Sequence, residues 1–183
     1  MRTRLSLLAF ALVACGNAAQ SQTDETTFQS PECKVAFAHP AGWEVIRDAT
    51  EGMDPCRLTV RPLDWQQRLV ASDSVDLHSI VVQMVERGVW AQLTESGFRR
   101  HDQGWVVLGR QDLEEPADSI GGQGWTGLRG TATQGCYREE GGFAGLCAQP
   151  TALVGTADRS LMMFGGPQTE EVFDRILATI QFR

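Results

Sequence analysis

Side chains that alternate every second residue run from Cys33 to Arg61 and return between Phe98 and Phe164. A chain patterned in this way is committed to strands that bury one face. Cys33, Val35 and Phe37 point one way while Lys34, Ala36 and Ala38 point the other, and Leu58 and Val60 alternate against Arg57, Thr59 and Arg61. Between them His39-Pro40-Ala41-Gly42 makes a turn, after which Trp43, Val45 and Arg47 alternate with Glu44 and Ile46. The later group reads as strands over 98–101, 105–112, 124–138, 142–156 and 160–164, separated by turn residues and dense in glycine.

Helical spacing is expected in two places. Leu77, Ile80, Val81, Met84 and Val85 recur at i, i+3, i+4, i+7 and i+8, with Asp73 or Ser74 placed to cap the start and Gly88 to stop the end. Near the C-terminus Thr169 is the expected cap. Glu170 and Glu171 follow in the first turn, and Val172, Phe173, Ile176, Leu177 and Ile180 form the buried stripe. Strand, helix, strands and helix in that order predict an α+β fold, a mainly antiparallel β-sheet with helices packed on it.

The N-terminus carries an address. Arg2 and Arg4 precede an apolar run from Leu5 to Val13, too short for the ~20 residues a spanning helix needs. Leu12-Val13-Ala14-Cys15 resembles the lipobox of bacterial lipoprotein signal peptides. The resemblance implies cleavage after residue 14, lipidation of Cys15 and a membrane anchor of two or three acyl chains, which holds where a single chain is marginal. Gly16 is not the Asp that retains enteric lipoproteins in the inner membrane, so the periplasmic face of the outer membrane is the expected location. The competing reading is an ordinary secretory signal cut near Ala18 or Ala19, with Cys15 discarded. The expected organisation is a signal peptide over 1–14, a polar flexible tether over 15–30 and one domain over 31–183. Losing Arg2 and Arg4 leaves 14 basic against 23 acidic residues, a net charge of −9. That balance argues against nucleic acid and anionic lipid as partners.

Cys33, Cys56, Cys136 and Cys147 remain after Cys15. An even count in an exported chain points to disulfides, of which three pairings are possible. Neighbour pairing is the simplest: Cys33 with Cys56 staples early strands together, and Cys136 with Cys147 closes a hairpin through Gly141-Gly142. A metal site is the competing use, but there is no Cys-x-x-Cys pair and no histidine near Cys136 or Cys147.

Catalytic motifs do not survive inspection. Gly122-Gln123-Gly124-Trp125-Thr126-Gly127 matches the dinucleotide pattern, yet it opens no amphipathic helix and reads as a glycine-rich turn entering a strand. His39, His78 and His101 lack a ligand partner at helical or strand spacing and read as surface residues. Glu114-Glu115 and Glu139-Glu140 are adjacent, so on a strand they point to opposite faces. No Gly-x-Ser-x-Gly elbow occurs. Trp43, Trp65, Trp90, Trp105 and Trp125 read mainly as core, with an aromatic platform for a protein or apolar ligand as the alternative if two or three share one open face.

The stretches Phe37-Ala38-His39-Pro40-Ala41-Gly42-Trp43 and Phe173-Asp174-Arg175-Ile176-Leu177-Ala178-Thr179-Ile180-Gln181-Phe182 resemble the opening and closing signatures of the PsbP/Mog1-like superfamily. These are packing motifs, and the resemblance implies adaptor or binding work with no cofactor and no catalysis. The expectation is therefore a lipid-anchored, non-catalytic envelope protein with a protein partner. A carrier of a small apolar ligand, or an envelope immunity or inhibitor protein, is the alternative.

Overall fold

The structure is a computed structural model that describes residues 24–47 and 54–183, and within them strands prevail. The chain runs through β1 (Glu25–Ser30), β2 (Val35–Pro40), β3 (Trp43–Arg47), β4 (Arg57–Pro62), α1 (Trp65–Ala71), β5 (Ile80–Val85), α2 (Leu93–Ser96), β6 (Phe98–His101) and β7 (Gly104–Leu108). A 3-10 turn at Arg110–Asp112 leads to β8 (Glu114–Gly122), β9 (Trp125–Tyr137), β10 (Phe143–Gly155), β11 (Ser160–Gly165), α3 (Glu170–Thr179) and β12 (Gln181–Phe182). The fold is α+β and its strand pairs are antiparallel. A nine-stranded sheet has the order β3-β4-β5-β11-β10-β9-β8-β7-β6, and a three-stranded sheet has β2 between β1 and β12.

Apolar surface is buried on both faces of the large sheet. On one face Leu58 and Val60 of β4, Ile80, Val82 and Met84 of β5, and Leu161 and Met163 of β11 meet Val35 and Phe37 of β2 and Phe173, Ile176 and Leu177 of α3. On the other, Leu128 of β9 and Leu153 of β10 pack with Val89, Phe98 and Val107. At roughly 25 cal/mol per Å² of apolar surface removed from water, these two clusters supply most of the driving force for the fold.

The first expected helix is a correction. Residues 80–85 form β5, between β4 and β11, with Ile80, Val82 and Met84 buried and Val81, Gln83 and Val85 half-buried. The sequence Ile-Val-Val-Gln-Met-Val satisfies period two as well as i, i+3, i+4. Its β-branched residues and the two neighbouring strands that need a partner decide for the sheet. The short helix falls earlier, at α1, and β8 was not anticipated at all. The expected strand over 105–112 stops at Leu108, and the expected tether ends sooner, since Glu25–Ser30 pairs with β2 as β1. The signal peptide, Cys15 and the tether up to residue 23 lie outside the described residues.

The C-terminal helix forms where expected and buries Phe173, Ile176 and Leu177. Thr169 occupies the cap position, but its hydroxyl donates to the Gly166 carbonyl at 2.8 Å and makes no side-chain cap. Both neighbour disulfides are present, Cys33–Cys56 with Cα atoms 5.3 Å apart and Cys136–Cys147 with Cα atoms 5.8 Å apart. The first fastens the turn between β1 and β2 to the start of β4, and so joins the two sheets.

Candidate binding cleft

A cleft of about 1190 Å³ opens at the end of the large sheet where the first disulfide closes. One wall is the Glu32–Lys34 turn with Cys33 and Cys56, the floor is Gln83 and Val85 of β5 with Met162 of β11, and the far wall is Gln92 and Glu95. The floor follows from register, because Met162 lies directly opposite Gln83 and both point away from the α3 side of the sheet. Asp158 and Arg159, in the β10–β11 turn, stand at the mouth. Carboxylates outnumber cations five to three among the lining residues, so the cleft favours a basic occupant over an acidic one.

The walls are held by specific contacts. Arg47 ion-pairs with Glu32 and donates to Ser30 Oγ at 3.0 Å, and the same oxygen accepts from the Cys33 amide at 3.3 Å. Lys34, the only lysine in the chain, has a left-handed backbone with φ of 53°. Across the cleft Gln92 is only 3% exposed. Its Nε2 donates to Glu95 Oε2 at 3.1 Å and reaches Met162 Sδ at 3.5 Å, while its Oε1 has no partner among the described residues. A hydrogen bond from Arg87, then one from Gln92, holds the Glu95 carboxyl below the usual carboxylate range. The far wall therefore offers a fixed anion beside a buried carbonyl that still lacks a donor.

Of the candidate site residues named from the sequence, Cys33 and Cys56 reach this cleft, while Cys136 and Cys147 lie on the far part of the β9–β10 hairpin. The histidines are dispersed. His39 is 5% exposed within β2, with Nδ1 3.0 Å from the Pro40 carbonyl, which corrects the expected surface position. His101 Nε2 meets Glu114 Oε1 at 3.1 Å on an exposed edge, and His78 precedes β5. Glu115, on the opposite face from Glu114, accepts a hydrogen bond from Thr133 Oγ1. Among the described residues no three His, Cys, Asp or Glu side chains cluster as a metal site requires.

Gly122 to Gly127 forms the β8–β9 hairpin, with Gly124 at φ of 79° in its two-residue turn. A Cβ at Gly122 would collide with the Trp125 indole, which explains the glycine without a nucleotide. The tryptophans do not share one face. Trp125 is buried and Trp43 packs against the same core. Trp65 lies under the Arg61 guanidinium at 4.4 Å, and Trp90 is exposed, which corrects the core reading for that residue; it stacks on Trp105 at 5.9 Å, a pair and not a platform. The cleft itself was missed because Gln83, Gln92, Glu95 and Met162 come from three separate segments and form no motif.

No protein-family model matches the sequence, and no curated protein does. Similarity appears in three dimensions. A protein of Bacteroides thetaiotaomicron VPI-5482 with a known crystal structure superposes on 86% of this chain with a TM-score of 0.51 at 12% identity. The match takes up 48% of that protein, so this chain spans about half its length, and what the two share is the fold. The solution structure of cyanobacterial PsbP (CyanoP) from Synechocystis sp. PCC 6803 aligns over 94% of this chain and 99% of its own, at 8% identity and a TM-score of 0.48.

Proposed function

We propose that this chain is a non-catalytic binding protein of the bacterial cell envelope, anchored by lipid on Cys15 and using the cleft beside Cys33–Cys56 to hold a basic segment of a partner protein. The cleft carries the reading. It is open, mixed in polarity, fixed on one side by a disulfide that joins the two sheets, and lined on the other by a buried amide with an unused acceptor. Such a surface suits recognition of an extended segment by hydrogen bonds and charge. The lipobox-like Leu12-Val13-Ala14-Cys15 supports the anchor, and Gly16 favours the periplasmic face of the outer membrane. The PsbP/Mog1-like resemblance supports adaptor work. Its first signature spans β2, the Pro40-Ala41-Gly42 turn and the start of β3, and its second spans α3 and β12.

Met84, Val85 and Met162 in the lining favour a small apolar ligand as the second reading, and lipid extracted from the purified protein would establish that reading instead. The test of the first is capture of envelope proteins from detergent-solubilised membranes with the native chain and with Gln83→Arg and Glu86→Arg. The proposal expects one partner that both variants lose. Equal recovery with all three proteins overturns the cleft as the site. Mass spectrometry of the native product checks the anchor separately, and an unmodified N-terminus downstream of Cys15 overturns it.

A further inference from the structure

The β9–β10 hairpin outruns the sheet that carries it. β8 pairs with β9 only from Trp125 to Gly130, and β11 pairs with β10 only from Thr151 to Gly155. The two long strands nevertheless continue to pair with each other out to Tyr137 and Phe143. The outer half is thus a two-stranded ribbon, a unit that is marginal alone, and Cys136–Cys147 staples it. Two further clamps fix its tip. Arg138 donates to Asp73 Oδ2 at 2.8 and 2.9 Å beside the Glu139 amide, which donates to the Ser74 carbonyl at 2.7 Å. Arg110 donates to the Tyr137 hydroxyl at 3.2 Å with its guanidinium 4.6 Å above the Phe143 ring.

Both clamping segments hold non-glycine residues in the left-handed region: Asp73 and Ser74 at φ of 55° and 61°, Gln111 and Asp112 at 62° and 57°. Strain of this kind persists where surrounding structure over-determines a position, often at functional surfaces. What the clamps hold out is apolar. Leu113, Tyr137, Phe143 and Leu146 are all exposed, Leu146 at 49%. Among the described residues no strand pairs along Gly145–Gln149 with the side of β10 away from β9, and a Cβ at Gly145 would meet no atom within 4 Å. No charged residue occurs from Gly141 to Ala157.

We propose that this edge of β10 pairs antiparallel with the same edge of a second copy across a twofold axis near Leu146, joining two ribbons into one four-stranded sheet. An antiparallel edge presents to its twofold mate the donor and acceptor pattern that mate presents back, so a copy satisfies it without further design. Charge selects the same occupant. The chain carries 23 acidic residues against 16 basic, so most orientations of two copies repel, and the uncharged edge is where they can approach. Natural edges are blunted by charge, proline or bulges; here a bulge at Phe143/Gly145 and Pro150 bound the free stretch, and no charge interrupts the residues between them. The contact is confined to one short edge, so the dimer is expected to be weak and to depend on concentration. This surface shares no residue with the cleft.

The test is sedimentation velocity on the full lipidated chain in a detergent of known micelle mass, from micromolar to several hundred micromolar. The proposal expects a monomer–dimer equilibrium whose dissociation constant rises at least tenfold in Leu146→Lys and again in Ala148→Lys, both exposed positions where the fold tolerates a lysine. Leu63→Lys, at a still more exposed position remote from the ribbon, leaves the constant unchanged. Amide exchange over Gly145–Gln149 slows as concentration rises. A chain monomeric throughout the range, or a dimer that Leu146→Lys leaves intact, overturns the proposal. Exchange protection that depends on added lipid vesicles and not on protein concentration assigns the patch to a membrane and overturns it equally.

Discussion

Arg129 of β9 grips Asp174 of α3 through two hydrogen bonds, Nε to Oδ1 at 3.2 Å and Nη2 to Oδ2 at 3.3 Å, and Nη2 also reaches Glu170 at 2.7 Å. The guanidinium is largely covered while both carboxylates remain half in water. A forked contact of this geometry is worth more than a single surface pair, yet solvent still screens it. Replacing Arg129 by Met keeps the stem packing and removes the fork. The expected loss is about 1 kcal/mol, seen as a thermal midpoint lower by about 2–4 °C. High salt shrinks the difference between the two proteins, and a difference that salt does not alter rules out the ionic account.

Val81 and Val82 separate the two ways of reading the stretch before Glu86. In the expected helix Val81 belonged to the buried stripe and Val82 did not, whereas in β5 Val82 is fully buried and Val81 half-buried. Val82→Ala is therefore expected to cost about 2 kcal/mol and Val81→Ala less than about 1 kcal/mol, measured by denaturant unfolding. The reverse order would restore the helix.

The two disulfides act on different parts of the molecule. Cys33–Cys56 spans 23 residues and joins the sheets, so removing it as a Cys33→Ser, Cys56→Ser pair lowers global stability by about 3 kcal/mol. Cys136–Cys147 spans 11 residues within the ribbon. Its removal accelerates amide exchange over 132–137 and 143–149 while β5 and β11 keep their protection, because the ribbon lies beyond their pairing. Uniform acceleration across the core would show that the ribbon does not open on its own.

Both pairings, α3, β10 and β11 were legible because each rests on a local pattern: an even cysteine count, a 3.6-residue stripe ending in Ile180, and apolar runs bounded by turns. β5 was not legible, since both periods fit Ile80–Val85 and only its neighbours β4 and β11 choose between them. β8 was hidden for a similar reason. Glu114–Gly122 contains Pro116, Asp118 and two glycines, which local propensity reads as loop, and it becomes a strand because β7 and β9 flank it. The cleft is less legible still, because its donors and acceptors meet only after the sheet forms.

Burial, followed by the nearby Arg68 guanidinium, holds His78 below the ordinary histidine value of 6.5, against the opposing pull of Asp76 and Asp64. The folded chain thus prefers the neutral ring, and the unfolded chain binds a proton at pH values where the folded chain does not. Stability from this group is complete above its unfolded value and falls as the pH drops through the lower folded value. Denaturant unfolding at about pH 7.5 and about pH 5.5 compares a pH above the unfolded value with one below it while staying above the carboxylate range. His78→Gln is expected to be less sensitive to that pH step than the native chain, and an unchanged sensitivity removes His78 as its source.

Gln92 tests whether the cleft is kept for recognition at the expense of stability. A buried carbonyl without a donor costs about 1–3 kcal/mol, and the Nε2 bond on the same amide goes to a solvent-exposed carboxylate that offsets little of it. Gln92→Met matches the side chain in length, removes the orphaned oxygen and leaves Glu95 exposed and still paired with Arg87 at 2.7 Å. The expected thermal midpoint is therefore equal to that of the native chain or a few degrees higher. Partner capture through the cleft is expected to fall at the same time, because the position no longer offers an acceptor to the incoming segment. A variant that is destabilised assigns Gln92 to the core, and one that captures the partner as well as the native chain removes it from the site.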